Sequence, residues 1–307
     1  MFTAFLQALL SGLVVGSAYA LVALGFSVTF TTTRTMNFAH GDFVSLGAFI
    51  GLSVLFTSLG MSIGSFSLGS AAPSVTGQLL AVLAAAGGMG LIGAIMFFAG
   101  VRPFAGRPGM AWVMSTLGFG LLLQALIMAV WGPKSIGVPG PFGSDVIRVF
   151  DVGVLPQELL ILGVATAIML VFDRVMRQST LGKAMRAVAL RPEVASLMGI
   201  NVTVMMVGAY VVSSALAGLS GFLLAPIIQV SLVMGAAIGL KGFAAGIVGG
   251  LDNARGCVLG GFLLGVLESF INLWSAQWRE IVILLLVIVV LALKPNGLFG
   301  TKVLDKV

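Results

Sequence analysis

The sequence predicts an all-α integral membrane protein, a polytopic helical bundle of about eight or nine transmembrane segments, and three observations predict it. The first is composition. Of the 307 residues, 59% are hydrophobic and 8% charged, against roughly 25% charged in a soluble domain, and mean hydropathy is +1.16. The second is spacing: no charge precedes Arg34, and none falls between Asp42 and Arg102, between Arg107 and Lys134 or between Glu193 and Lys241. A soluble surface that long needs charge to stay hydrated, whereas a lipid-facing one excludes it. The third is the 42 glycines, many inside the apolar runs, where small residues let membrane helices approach closely. Nothing of useful size remains for a soluble domain, so residues 1–307 read as one transmembrane domain.

Taken in order, the spans are 4–31, 36–58, 79–101, 111–131, 155–173, 204–225, 227–246, 256–275 and 279–294. Each approaches the roughly 20 apolar residues that a hydrocarbon core of about 30 Å requires. Ala18-Tyr19-Ala20 resembles a signal-cleavage site, but no basic region precedes it and the apolar run continues, so 4–31 reads as the first span. Segment 36–58 opens on polar residues. Segment 227–246 is Gly-rich and reads as short or broken. The outer loop 132–156 holds four prolines and five glycines and no obvious site, and the Gly/Ser stretch at 60–77 is equally uninformative. Trp274 and Trp278 flank the turn before the last span, as interfacial aromatics do.

Lys and Arg favour the cytoplasmic side of short loops. With the loop 174–203 inside, alternation puts Arg34, Arg102, Arg107, Arg174, Arg177, Lys183, Arg186, Arg191, Lys241, Arg255, Lys294, Lys302 and Lys306 inside, and Lys134, Arg148 and Arg279 outside. Thirteen of the 16 basic residues therefore share one side, with the N-terminus outside and the C-terminus inside. The net charge of +6 belongs to these loops and is no nucleic-acid signal. Cys257 is the one cysteine and His40 the one histidine, which excludes an intrachain disulfide and a Cys/His metal site. No catalytic constellation and no phosphate-binding loop of the G-x-x-x-x-G-K-[ST] type is present.

Three polar features inside apolar segments are candidates for a pathway or gate. Asn37, His40 and Asp42 lie in Arg34-Thr35-Met36-Asn37-Phe38-Ala39-His40-Gly41-Asp42, and polar groups at membrane depth usually face the bundle interior or a water-filled cavity. The alternative is an interfacial cap, with Asn37 or Asp42 capping a helix and Arg34 pairing with Asp42. Lys241, Gly242 and Phe243 lie in a Gly-rich run from Gly239 to Asp252 that suits either a broken helix at a translocation site or close helix packing. Glu268 is a carboxylate well inside a span, near its outer end. The runs after Asp42 and after Gly256 hint at a weak internal repeat.

The loop from Arg174 to Val202 has five basic residues and one acidic residue. It reads as one helix ending near Arg191 and a second beginning at Pro192, which is tolerated in a first turn, and stopping at Gly199. The second piece exposes Val194, Leu197 and Met198 on a face that is not strongly basic, which favours a protein partner over the lipid surface.

This loop resembles the cytoplasmic coupling loop of branched-chain amino-acid (LivH-type) ABC importer permeases. Leu181, Gly182, Lys183, Ala184, Arg186, Ala187, Val188, Ala189, Glu193, Ala195, Leu197, Gly199, Ile200 and Asn201 fall in step with its pattern. Asn37-Phe38-Ala39-His40-Gly41 resembles the family's N-F-A-H-G, with Asp42 where Glu is common. Gly239 to Gly261 resembles its Gly-rich motif, with Gly242 where Ala is common, and Lys294-Pro295-Asn296-Gly297-Leu298-Phe299-Gly300 resembles its closing K-P-x-G-L-F-G. The resemblance implies a permease domain in a bacterial inner membrane. It also implies a second homologous permease subunit, two cytoplasmic ABC ATPase subunits and an external solute-binding protein. ATP and Mg would sit on the ATPases, with no cofactor on this chain, and the chain would be no enzyme. Leu181, Gly182, Lys183, Arg186, Ala187, Arg191, Pro192, Glu193, Ala195, Leu197 and Gly199 would form the ATPase-coupling surface. The substrate would be a small amino acid, branched-chain first, with urea, short amides and aromatic acids as alternatives. A secondary transporter or channel would need ionisable residues in mid-span, which Glu268 alone approaches, and a membrane enzyme would need a catalytic cluster.

Overall fold

The computed structural model describes residues 2–60, 74–104, 111–138, 140, 147–149 and 152–300. Arg107, Lys302 and Lys306 lie outside the described residues, as do most of the 60–77 stretch and part of the loop 132–156. The helices are α1 (Phe2–Thr33), α2 (His40–Ser58), α3 (Val75–Met96), α4 (Ala111–Trp131), α5 (Pro156–Gln178), α6 (Thr180–Leu190), α7 (Pro192–Leu197), α8 (Val202–Leu224), α9 (Met234–Gly249), α10 (Ala254–Trp274) and α11 (Arg279–Leu293). A π-turn and a 3-10 turn extend α3 to Phe104, and a 3-10 turn leads into α11. Among the described residues eight helices are long and apolar enough to cross a membrane, and α9, at 16 residues, is shorter. The protein is an all-α polytopic membrane protein.

Helix starts follow the local chemistry. Ser74, Ser179 and Asn201 each accept a backbone N–H of the first turn through their side-chain oxygen, opening α3, α6 and α8. Asn253 does the same twice for α10. At α5, Pro156 takes the first turn and Glu158 accepts the backbone N–H of Leu155 at 3.1 Å. The loop after α4 contains a small hairpin, β1 (Ile147–Val149) antiparallel to β2 (Val152–Val154), which the sequence reading did not foresee.

Two helices, α1 and α2, form the centre. Of their most apolar stretches, 72% and 67% are buried inside the protein, against 11% for the last span. The exposed large side chains of α3, α4, α5 and α11, such as Leu83, Leu121, Leu170 and Ile288, form an apolar outer rim. α1 runs antiparallel to α10, with Gly12 against Val266 and Gly16 against Phe262, and antiparallel to α8, with Gly25 against Ser213 and Ser220 bonded to Ala18. α9 ends where α10 begins, with Gly249 on the backbone of Gly256.

Two of the predicted spans differ from the structure. Segment 36–58 is helical only from His40, because Arg34 closes α1 at φ 54° and residues 35–39 turn back into the bundle. His40 lies against Val22 and Gly25 of α1, so α2 starts about 12 Å in from the end of α1 at 1.5 Å per residue. Segment 227–246 is irregular up to Val233 and then becomes α9, with Val230 in a β-bridge to Ile136. The expected short or broken helix is therefore present.

Lys241 is a correction. Charge counting placed it at the cytoplasmic face, yet its ammonium lies 2.7 Å from Glu268 and 3.0 Å from Glu280, and Arg279, assigned to the opposite side, joins the same cluster. The counting rule assumes that every lysine reaches water, and a lysine paired inside the bundle escapes it. The Arg34–Asp42 pair considered for the α2 cap is also absent. Arg34 pairs with Asp252 at 2.8 Å, and Asp42 faces Gln124.

Candidate functional site

Two places gather the candidate residues. The first is the mid-bundle junction of α2 and α9. Helix α2 has no side-chain cap on its Ala39 N-cap, but the Asn37 side-chain oxygen accepts the Ala39 N–H at 3.0 Å. His40 is fully buried, its Nε2 3.2 Å from the Val22 carbonyl and its ring 4.3 Å from that of Phe26. Since a carbonyl only accepts, Nε2 carries the proton. Asn37 and His40 thus act as ties that hold the break in place.

Asp42 is positioned differently. It is 9% exposed, accepts a 2.7 Å hydrogen bond from Gln124 Nε2, and lines a cavity of about 290 Å³ between α2, α4 and α9. Phe26, Phe38, Leu240 and Phe243 supply its apolar wall, with Phe38 and Leu240 exposed at the rim. The two helices meet through backbone: Gly235 and Gly239 of α9 lie on Gly41, where a side chain would strike the Gly41 backbone. Ser45 completes the junction, donating to the Leu232 carbonyl at 3.0 Å and accepting the Gly235 N–H at 2.8 Å. Gly242 packs on Val22, and Phe243 stands 5.4 Å from Phe26.

Lys241 and Glu268 point elsewhere. Glu268 accepts from the Tyr19 hydroxyl at 2.8 Å and from Lys241, on the α1–α10 side of α9. Of the pathway candidates, the structure brings Asp42 and Phe243 to one cavity and leaves Glu268 and Lys241 in a self-neutralised cluster. Sequence reasoning missed Gln124, Ser45 and Tyr19. Gln124 had a signal, since it is the one side-chain amide in a span whose other polar residues are Ser115 and Thr116.

The second place is the α6–α7 loop. Gly182 lies directly on the Met176 backbone, and Met185 and Val188 are buried, with Met185 packing with Val28 and Ala209. The Arg186 guanidinium donates to the Met176 carbonyl and ties α6 back to α5. Pro192 opens α7 as expected, Ala195 is its buried anchor, and Gly199 at φ 82° ends it. Leu190, Leu197 and Met198 are 80%, 86% and 78% exposed. Lys183, Arg191 and Glu193 are exposed around them.

Residues 8–291 match the family model described as the permease component of the branched-chain amino acid transport system. The chain is 28% identical to the high-affinity branched-chain amino acid transport system permease protein LivH of Escherichia coli K12, over all of this chain and 99% of that protein. It is 29% identical to the corresponding BraD permease protein of Pseudomonas aeruginosa, covering 99% and 98% of the two chains. It is 27% identical to a probable LivH permease protein of Methanocaldococcus jannaschii, covering 91% and 88%. No solved structure matches the chain significantly.

Proposed function

The chain belongs to the branched-chain amino acid transport permease family, and from that membership we propose that it is the transmembrane permease subunit of an ABC importer. It carries a small amino acid, branched-chain first, across the bacterial inner membrane. A second, homologous permease subunit completes the pore. Two cytoplasmic ATPase subunits dock below, and an external solute-binding protein delivers the substrate. ATP and Mg are bound by the ATPases. The N-terminus lies outside and the C-terminus inside, an orientation that rests on the basic loop ends and survives removal of Lys241 from the count.

The observation that carries the ATP-driven reading is the α6–α7 surface. Three large apolar side chains stand 78–86% exposed on two short helices outside the membrane spans. Those helices are held rigid by Gly182, Met185, Arg186 and Ala195. Apolar anchors with a charged rim are the composition of a protein-docking patch. A channel or secondary transporter has no use for such a hook. The pathway then runs along the α2–α9 junction, where two helices begin inside the bundle as broken helices at transport sites do.

Reconstitution with the ATPase pair and binding protein tests this. Uptake of L-leucine should require ATP and both partners, and uptake without the ATPases would sink the reading in favour of a channel. Arg186→Ala and Glu193→Ala should leave membrane insertion intact and lower the leucine moved per ATP hydrolysed. Normal coupling with both changed removes this role from the loop.

A further inference from the structure

We propose that the Asp42 carboxylate is the counter-charge for the ammonium group of the amino acid as it passes the α2–α9 junction, which makes Asp42 and Gln124 substrate-selecting residues. The inference rests on the importer reading and adds the group that the substrate must carry.

Charge balance singles Asp42 out. Glu268 and Glu280 share Lys241 and Arg279, Asp173 has Arg255, and Asp252 has Arg34, while Glu158 caps the first turn of α5 by accepting the Leu155 N–H and Glu193 is exposed. Among the described residues Asp42, within the bundle, has no cation, and its one side-chain hydrogen-bond partner is the Gln124 amide. An ionised carboxylate away from bulk water needs a positive partner, and none of the described residues supplies one.

Two further cavities do not present this vacancy. The one beside α5, α6 and α10, of about 310 Å³, already pairs Asp173 with Arg255. The one of about 160 Å³ by Ser11 and Asn272 has Glu268 already met by Lys241 and Tyr19. At Asp42 the opposite oxygen, Oδ2, lies over Gly120, where the missing side chain leaves it room, and it accepts no hydrogen bond from the described residues.

The rest of the wall fixes the ligand class. One carboxylate and one amide are too few oxygens for a Mg or Ca ion, which takes six or more. They suit a primary ammonium, which needs a few acceptors and a negative charge. The rings of Phe26, Phe38 and Phe243 offer an apolar berth and faces that favour a cation. A molecule with an ammonium at one end and a short apolar side chain fits both. Urea, short amides and aromatic acids lack the ammonium and would leave Asp42 unpaired.

The test is L-leucine uptake per ATP hydrolysed by the complete complex in proteoliposomes, with ATPases and binding protein present. Asp42→Asn keeps the shape and removes the charge, and should lower that ratio at least tenfold, with partial recovery in Asp42→Glu. A ratio within twofold of the unaltered complex overturns the proposal. Should Asp42→Asn fail to assemble, Gln124→Lys decides. It sets a tethered ammonium beside Asp42 and should lower the ratio at least tenfold more than Gln124→Met does, whereas equal ratios in the two overturn the proposal. An unaltered complex that hydrolyses ATP and carries no leucine would sink both this assignment and the reading beneath it. Normal uptake in the variants sinks the assignment alone.

Discussion

Lys241 and Glu268 stand 27 positions apart in the chain and 2.7 Å apart in space, with side chains 12% and 10% exposed. Removing one partner of such a pair strands the other charge, which costs about 3 kcal/mol or more, whereas replacing both by apolar groups of similar size is often neutral. Lys241→Met should therefore lower the thermal midpoint of the detergent-purified protein more than Lys241→Met with Glu268→Leu does. Singles no worse than the double would mean that water already screens the pair. Glu268 was legible in the sequence as a carboxylate in an apolar run. Its partner was not, because hydropathy locates a residue along a helix but not the neighbour that faces it. The same limit hid Gln124 from Asp42, although Gln124 is the one amide and Asp42 the one carboxylate of its span. Asn37 and His40 were read either as pathway residues or, for Asn37, as a helix cap, and their hydrogen bonds to Ala39 and Val22 tie down the backbone break.

At the level of elements, the abundance of glycine predicted close helix crossings without saying which glycines make them. In the structure Gly265 lies on the backbone of Gly16, and Gly261 on that of Ala20, along the α1–α10 contact, while a side chain added at Gly87 would meet nothing within 4 Å. Gly265→Val should thus abolish stable accumulation of the protein and Gly87→Val should be tolerated, both read by fluorescence-detected size exclusion from the same membranes. Loss of both, or survival of both, would mean that apolar composition rather than contact decides. The α6–α7 loop was the most legible element. Its Pro192 start, Gly199 stop and exposed Val194, Leu197 and Met198 were all readable, since each rests on a local rule that needs no tertiary partner. The start of α2 was less so. Residues 36–39 were read as the polar opening of a span, and what excludes them from the helix is a long-range fact, the seating of His40 on α1.

For the whole molecule the parity of crossings turns on α9, since α8 and α10 both run antiparallel to α1 and the chain must return across the bundle between them. Sixteen residues span about 24 Å, less than a hydrocarbon core of about 30 Å, so α9 crosses only if residues 225–233 supply the remainder. The contacts argue that they do. Val230 bridges Ile136, just beyond the end of α4, and Gly249 abuts Gly256 at the start of α10, so the chain enters near one end of the bundle and leaves at the other. A non-helical stretch is tolerable there because it is packed against protein rather than lipid. With that crossing counted, the turn at Ser275–Trp278 shares a side with Lys134, and the α6–α7 loop shares the opposite side with Asn296. Cys257, the one native cysteine, is buried and gives little background. Single cysteines at Leu197 and Asn296 should therefore react with an impermeant maleimide only in inside-out vesicles, and cysteines at Lys134 and Gln277 only in right-side-out cells. If Leu197 and Asn296 label from opposite sides, α9 is re-entrant and the chain's two ends change their relation. The Asp42 cavity would then lie between a re-entrant loop and α2 rather than between two crossing helices.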